Sequence, residues 1–370
     1  MTSHNGSSGL ADAQQIGVLG ATQGDLTYLL AAMGTMSGRG VKALLVLGDF
    51  GFLWPRTSSA EELDTISREL SIHDQTLFFV DGNHEDFTAL NSYLVSGDGL
   101  RRVRPNVIHL PRGYRTVLAS GVTLAALGGA NSIDKDRRVE GKEWWAEESI
   151  TDEDLATLGP DPVDILVGHD APYPLPALDA ALDATGHTRS EEMRAYARAG
   201  RLQFQRGFLR VRPKLYLGSH YYVAVDETVS YGDGVDEFDT RVFLLSANRS
   251  SRYSQAVLNV SNRDVEMFQP DNGAVMELTG RETGRWKVFT QSSQYLFDFD
   301  SGTVTRYPGQ AASESINDTT RPLRAIERCK VGERGAWTMH PEGGYADPVD
   351  FYWQVSTEIR SIEKTRNREE

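Results

Sequence analysis

The sequence predicts a layered α/β domain followed by a small β-rich domain. From about residue 15 to residue 265, short apolar runs alternate with stretches of helical spacing, as in layered α/β proteins. Beyond residue 264 the sequence pattern changes. Short runs in which apolar and polar residues alternate are separated by turn residues, which is typical of a small β-rich domain. A chain of 370 residues is long enough for two such domains.

Of the first three predicted strands, the second and third end in polar clusters. The three strands cover residues 16–19, 43–47 and 77–80, and residues 25–36 and 61–70 between them have helical character. The second strand leads into Asp49, and the third leads into Asn83 and His84.

The later strands of this domain end in the same way. They cover residues 122–127, 164–167 and 214–217, and the last two lead into His169 and His220. Because ligand sites of α/β sheets lie outside the carboxyl ends of the strands, we expect these separate clusters to converge in space.

Changes in composition along the chain predict the domain boundaries. The predicted segments are a flexible tail (residues 1–14), the α/β domain (15–268), a linker (269–284), the β-rich domain (285–363) and a charged tail (364–370).

Charge and composition exclude several classes of protein. The net charge is −14, and residues 1–280 carry −13 of it, so nucleic-acid binding is not indicated. The longest apolar runs, such as residues 43–47, are far too short to span a membrane. A lone cysteine, Cys329, and a start without the pattern of a secretory signal lead us to expect a cytoplasmic protein.

Three histidines at separate strand ends indicate a metal site. His84, His169 and His220 lie beside Asp49 and Asn83 in the predicted cluster. Imidazole combined with carboxylate oxygen suits Mn, Fe or Zn.

These motifs resemble those of the calcineurin-like metallophosphoesterases over about residues 15–265. The family pattern runs GDxHG, GDxx, GNHE, a strand ending in His, and GHxH. Its second to fourth motifs are present as Gly48-Asp49, Gly82-Asn83-His84-Glu85 and Gly168-His169-Asp170. Gly128-Gly129-Ala130 and residues 132–148, with Trp144-Trp145, resemble a subset of the family. The resemblance implies a two-sheet β-sandwich flanked by helices, and hydrolysis of phosphate monoesters or diesters.

The first and last motifs depart from the family pattern. Ala21 and Gln23 stand at the Asp and His positions of GDxHG, and Tyr222 stands at the last His of GHxH, with His220 kept. An alternative register that starts the last motif at Gly218 would lose both of its histidines. When the family's ligand positions are carried over to this sequence, one metal site keeps only Asp49. The other keeps all four of its ligands: Asp49, Asn83, His169 and His220.

The resemblance therefore implies a phosphoesterase with one divalent transition metal (Mn, Fe or Zn), a second site left empty, and reduced or narrowed activity. His84 is the predicted general acid, and Arg137 and Arg138 are candidate contacts to a phosphate-ester substrate. One alternative is a catalytically inactive binding or regulatory protein. Another is a dinucleotide-binding protein that uses the glycine-rich segment 17–24 and Asp49.

The C-terminal domain is a candidate surface for a protein partner. Its arginine-rich segment predicts a basic patch that contains Arg321, Arg324, Arg328 and Lys330.

Overall fold

The chain divides into two compact units, Met1–Gln269 and Pro270–Glu370. The structure, a computed structural model, describes residues 9–55, 58–184, 189–248, 253–268, 277–309, 312–313, 315–341 and 351–365. Most of the predicted tail (residues 1–8), half of the predicted linker (269–276) and the chain end (366–370) lie outside these ranges.

Two sheets and their covering helices build the first unit. Its strands are β1 (Gln15–Leu19), β2 (Ala43–Leu47), β3 (Thr76–Val80), β4 (Arg101–Arg104), β5 (Val107–His109), β6 (Arg115–Val117), β7 (Thr123–Leu127), β8 (Ile165–Gly168), β9 (Leu215–Gly218), β10 (Val225–Tyr231), β11 (Phe238–Leu244), β12 (Gln255–Asn259) and β13 (Asp264–Phe268). Its α-helices are α1 (Leu26–Gly38), α2 (Ser59–Ile72), α3 (Phe87–Ser92), α4 (Asp152–Leu158), α5 (Pro176–Ala184) and α6 (Glu191–Val211).

The strand order places the predicted strands side by side. Within the described residues, one sheet has the order β13-β12-β1-β2-β3-β5-β4 and the other has the order β10-β11-β9-β8-β7-β6. The central pairs are parallel: β2 runs with β1 and β3, and β8 runs with β7 and β9. Their carboxyl ends therefore lie at the same edge of each sheet.

The core explains why these strands are apolar at nearly every position. In β2, Leu45 and Leu47 pack between the two sheets, whereas Leu44 and Val46 pack beneath α1 and α2. In β7, Ala126 faces the same inter-sheet core and Leu127 faces the layer that contains α4 and α6. A strand covered on both faces needs apolar side chains on both faces. The predicted β-sandwich flanked by helices is confirmed.

The folded part of this unit begins before the predicted boundary at residue 15. Leu10, which we placed in the flexible tail, is fully buried in the core between the sheets. The first helix starts where predicted, because the Asp25 side chain accepts a hydrogen bond from the backbone N–H of Tyr28 and caps it.

The second unit is a closed β-barrel. Its strands follow one another around the barrel: β14 (Arg285–Thr290), β15 (Ser293–Asp298), β16 (Thr303–Pro308), β17 (Thr320–Arg328), β18 (Arg334–Met339) and β19 (Tyr352–Lys364). Among the described strands of this unit, closure leaves no free sheet edge, and the interior is filled by large side chains such as Phe297 and Trp337. Leu278, which we assigned to the linker, is buried in this core. The predicted β-rich C-terminal domain is confirmed.

The arginines of the second unit do not form the single basic patch that the sequence predicts. Arg321 is nearly buried, with its guanidinium 4.1 Å from the centre of the Tyr352 ring. Arg328 and Lys330 both lie within 4 Å of the Glu333 carboxylate, at 3.8 and 3.7 Å. In the part of the chain that the structure describes, no helix has both the length and the apolar character to span a membrane.

Candidate metal centre

Four strand ends bring the predicted ligands together. Asp49 follows β2, Asn83 follows β3, His169 follows β8, and His220 follows β9. Each strand is anchored in the core, so the turn after it holds its polar side chain in a fixed position.

Asp49, Asn83 and His169 form the centre of the site. The His169 Nδ1–H donates to the Leu47 carbonyl oxygen at 2.7 Å, which leaves Nε2 as the atom facing the site. Nε2 lies 3.1 Å from Asn83 Oδ1 and 3.2 Å from Asp49 Oδ1. All three side chains are almost fully buried.

This arrangement fits a divalent cation. With Nδ1 donating to Leu47, a neutral His169 would present a lone pair to two oxygen acceptors, and only a positive charge among the three atoms relieves that repulsion. Ligands bound at about 2.0–2.2 Å lie roughly 3.0–3.4 Å apart around one ion, close to the observed spacing. Burial by itself favours the neutral ring, but the Asp49 carboxylate outweighs it and raises the pKa of His169 to about 9. A proton or a metal ion can therefore serve as the cation here.

His220 lies beside this group. Its ring centre is 4.9 Å from that of His169. Burial, and then the neighbouring His169, lower the pKa of His220 to about 3, so this ring is neutral at pH 7 and available as a ligand. Within the described ranges, no three His, Cys, Asp or Glu side chains form a ready-made metal cluster. The converging centre instead combines one carboxylate, one imidazole and one carboxamide.

Glycines of the motifs allow the close approach of these turns. A Cβ at Gly82 would lie 2.2 Å from Asp49 Oδ1, and a Cβ at Gly48, which has φ +84°, would lie 2.2 Å from His169 Nδ1. Asp49 itself has φ +48°, a left-handed conformation that is uncommon for a residue with a side chain. The backbone thus accepts strain where the ligands meet.

The three degenerate positions are occupied by side chains that contact their neighbours in the fold. Ala21 is fully buried and its backbone N–H donates to Ser219 Oγ at 3.1 Å. The Gln23 amide nitrogen donates to the Tyr222 hydroxyl, so the two replaced histidine positions bond to each other. Burial and the nearby Asp49 carboxylate raise the pKa of Tyr222, which keeps it a neutral phenol at pH 7.

His84 lies at the entrance of the site, in contact with Arg138. Its backbone N–H donates to Asp49 Oδ1 at 2.9 Å. Arg138 lies along the His84 ring, with Nη1 2.9 Å from Nδ1 and Nη2 3.3 Å from Nε2, so both ring nitrogens face the guanidinium. Asp134 holds the other side of the Arg138 guanidinium through Nε and Nη2, at 2.8 and 2.9 Å.

Arg137 is not part of this arrangement. Its side chain is exposed on the short turn Lys135–Arg137, and among the described residues it forms no hydrogen bond with a predicted ligand. Of the two candidate arginines, the structure brings only Arg138 to the site.

A cavity of about 330 Å³ opens beside His84. It is lined by Gln23, Gly51, Trp54, Pro55, Lys142 and Glu143. Trp54 donates from Nε1 to the His84 carbonyl oxygen at 3.0 Å, so this wall of the cavity is tied to the site.

The geometry argues against the dinucleotide-binding alternative. That interpretation needs the Asp49 carboxylate to be free to contact a ribose. In the structure, Asp49 Oδ1 accepts the His84 backbone N–H and faces His169.

Comparison with known proteins identifies the family. The profile of the calcineurin-like phosphoesterases matches residues 14–223, more than half of the chain. The chain belongs to the calcineurin-like phosphoesterase family. No match was found among curated proteins.

Two solved structures match this chain at low sequence identity. One is TT1561 of Thermus thermophilus, which is 16% identical with a TM-score of 0.39; the match covers 70% of this chain and 99% of that chain. The other is described as a novel archaeal phosphodiesterase and is 10% identical with a TM-score of 0.33; the match covers 69% of this chain and 99% of that chain.

Two groups of residues in this calcineurin-like phosphoesterase were missed by the sequence reasoning. Asp81, directly after β3, is buried and binds both Arg112, with Nη2 at 2.7 Å, and His109, with Nε2 at 3.2 Å. Ser132 and Glu148 lie behind Asn83. The only sequence signal for the second group was its place at the two ends of the segment 132–148.

The tryptophans of this segment are structural. Trp144 and Trp145 are 7% and 5% exposed, so neither face is open to stack a substrate. Trp145 packs edge-on against Trp54, with ring centres 5.6 Å apart, and supports the wall of the cavity.

Proposed function

We propose that the N-terminal unit is a phosphoesterase that works with one divalent transition metal ion, Mn, Fe or Zn. Asp49, Asn83, His169 and His220 would hold the ion. Membership of the calcineurin-like phosphoesterase family supports phosphate-ester hydrolysis as the chemistry. The observation that carries the single-ion proposal is the contrast between the two sets of positions. Ligand atoms of Asp49, Asn83 and His169 converge in one set, while a buried alanine and a Gln–Tyr hydrogen bond occupy positions of the other.

The bound ion would neutralise phosphate charge and lower the pKa of a bound water. The residues of the chain supply the rest. His169 is oriented by its hydrogen bond to Leu47, so that Nε2 and not Nδ1 faces the ion. His84 is the residue that we propose to give a proton to the oxygen of the leaving group.

Arg138 has two roles in this proposal. Its guanidinium holds the His84 ring through contacts to both ring nitrogens, and it donates to the carbonyl oxygen of Glu143, which lines the cavity, so it would also be placed to contact phosphate oxygens there. Asp134 holds the guanidinium in place.

We propose that activity is reduced or narrowed relative to a site with two ions. Two ions clamp the attacking and leaving oxygens of an in-line displacement together. With a single ion, the protein must stabilise part of the negative charge on these oxygens. His84 and Arg138 are the groups placed to do so.

Elemental analysis and hydrolysis of bis(p-nitrophenyl) phosphate test the proposal together. The parent chain, loaded with Mn²⁺, Fe²⁺ or Zn²⁺ and desalted, should keep at most one ion and hydrolyse the diester. Asp49→Ala should lose both properties. Asp152→Ala is the matched control, because Asp152 is an exposed aspartate of α4 that pairs with Arg206.

Two ions at full occupancy would overturn the single-site proposal. A parent chain that keeps one ion but hydrolyses no phosphoester with any of these metals would favour the alternative, a phosphate-binding or regulatory protein.

We also propose a cytoplasmic location and a protein partner for the C-terminal barrel. The lone cysteine, which is buried, supports a reducing compartment. On the barrel surface Trp353 is 66% exposed, as expected of a side chain that a partner covers. Pull-down with the full chain and its Trp353→Ala variant would test the second proposal.

A further inference from the structure

We infer that Ser132 and Glu148 form a hydrogen-bond relay that decides which atom of the Asn83 amide faces the metal. Both are positioning residues, and neither contacts the position of the ion. The inference rests on the proposed function in one respect only, namely that Asn83 is a ligand.

The relay is a chain of two short hydrogen bonds. Asn83 Nδ2 donates to Ser132 Oγ at 2.9 Å. Ser132 Oγ in turn donates to Glu148 Oε2 at 2.5 Å. Ser132 and Glu148 are 1% and 0% exposed, so solvent cannot replace either bond.

The direction of the relay follows from counting protons. Glu148 Oε1 accepts from the Ser132 backbone N–H and from the Tyr196 hydroxyl, both at 2.9 Å. Burial raises the pKa of Glu148, and its hydrogen bonds with Ser132 oppose that shift. In its ionised form Glu148 can only accept, and each of the three groups that face it has a proton to donate. Ser132 has one hydroxyl proton, and this proton is used in the hydrogen bond to the Glu148 carboxylate. The lone pair of Ser132 Oγ that faces Asn83 can then only accept, so the Asn83 NH₂ group must point to Ser132.

This direction has a consequence at the metal site. When Nδ2 is held by Ser132, Oδ1 is left to face His169 and Asp49. A carboxamide binds metal ions through its oxygen, because its NH₂ group has no lone pair available. The two ends of an amide have nearly the same shape, so packing alone would not choose between them.

The far end of the relay is held firmly in place. Arg112 Nη2 donates to the backbone carbonyl oxygens of Glu147 and Glu148, at 2.8 and 3.1 Å. The same guanidinium binds Asp81, two residues before Asn83. Arg112 therefore fixes the distance between the two ends of the relay.

Glu148→Gln tests the relay because it keeps the shape and reverses the hydrogen bonds. The glutamine oxygen would still accept from the Ser132 N–H and Tyr196, which turns its NH₂ group toward Ser132 Oγ. The Ser132 hydroxyl would then donate toward Asn83 and favour an amide turned the wrong way. We expect affinity for Mn²⁺ or Zn²⁺, measured by competition with a chromogenic chelator, to fall about 10- to 100-fold.

Glu147→Gln is the matched control. It removes the same charge one residue earlier, from an exposed side chain, and should leave metal affinity unchanged. An equal loss in both variants would mean that charge, and not hydrogen-bond direction, explains the effect, and would overturn the relay.

The Asn83→Asp background separates orientation from a general structural defect. In Asn83→Asp, a carboxylate oxygen faces Ser132 Oγ. With Glu148 present, the single hydroxyl proton of Ser132 can serve only one of its two carboxylate neighbours, so the other contact places two acceptors together. Adding Glu148→Gln supplies an NH₂ group that donates to Ser132 Oγ, and the Ser132 hydroxyl can then donate to the introduced aspartate. The second substitution should therefore raise metal affinity in Asn83→Asp, although it lowers affinity in the parent. A loss of similar size in both backgrounds would overturn the proposal.

A metal-free measurement keeps this test independent of the proposed function. In ¹⁵N-labelled protein without metal, the Asn83 side-chain NH₂ protons should be protected from exchange in the parent and should lose that protection in Glu148→Gln. If the parent binds no ion but this change is seen, the proposed function fails and the relay stands. Unchanged protection would overturn the relay, whatever the metal content.

Discussion

Removing the guanidinium of Arg112 should destabilise the first unit more than removing that of an arginine that has no buried carboxylate partner. Arg112 is nearly buried and donates from Nε to Asp81 Oδ2 at 2.9 Å and from Nη1 to the Ser149 carbonyl at 2.8 Å. Arg112→Met keeps the apolar stem but leaves the Asp81 carboxylate, which is 2% exposed, without its cationic partner. Breaking a buried ion pair from one side costs about 3–5 kcal/mol.

Scanning calorimetry of the full chain measures this cost. At roughly 2–4 °C per kcal/mol for a unit of this size, the transition of the first unit should fall by about 6–20 °C. Arg115→Met is the control, because the described hydrogen bonds of Arg115 go to backbone carbonyls, those of Leu158 and Asp161 at 2.8 Å and that of Pro162 at 3.4 Å. Its loss should cost about 1–2 kcal/mol.

The pH dependence of the difference identifies Asp81 as the cause. Burial alone would raise the pKa of Asp81, but Arg112 and His109 outweigh it and hold that pKa well below its usual range. Asp81 therefore adds stability above the pKa of an unfolded aspartate, about 4, and this contribution is lost as pH falls below that value. In Arg112→Met burial prevails and raises the pKa, so the variant should be closest to the parent at pH 5 and furthest from it at pH 7.5.

Two results would refute this reasoning. One is a loss in Arg112→Met no greater than in Arg115→Met. The other is a double variant, Asp81→Asn with Arg112→Met, that recovers none of the stability, since removing the uncompensated charge should restore part of it.

Three further predictions concern the candidate metal centre. The triple change Ala21→Asp, Gln23→His and Tyr222→His should raise the metal content from one ion to two and increase hydrolysis of generic phosphodiesters; unchanged elemental analysis would show that the surrounding turns also prevent binding. His84→Ala should keep the ion and lower turnover about 10²–10⁴-fold, least for substrates with good leaving groups; loss of the ion would contradict the assignment of His84 as a proton donor. Because His169 must give up the proton on Nε2 to bind a metal, and its pKa is about 9, metal affinity should rise about tenfold per pH unit between pH 6 and 8; calorimetric titration at several pH values would reveal a flat profile if this is wrong.

The sequence by itself determined the fold and the candidate ligands. The apolar strands, the turns after them and the family motifs are local patterns, and each is set by residues within a few positions of one another. They were enough to predict the α/β architecture, the β-rich second domain and the convergence of Asp49, Asn83 and His169. Local patterns reach this far because a strand buried on both faces is recognisable from its own residues.

Only the tertiary structure decided what these side chains bond to. The partners Gln23 and Tyr222 are 199 positions apart in the chain, and Asn83 and Ser132 are 49 apart. No periodicity connects such positions, because the sheet order and the loop paths bring them together. The same holds for Arg138, which the sequence offered equally with Arg137 and which only the turn at residues 134–138 directs toward His84. Residue types can be read from a motif, but the orientation of an amide or an imidazole depends on donors and acceptors that the folded chain supplies from distant segments.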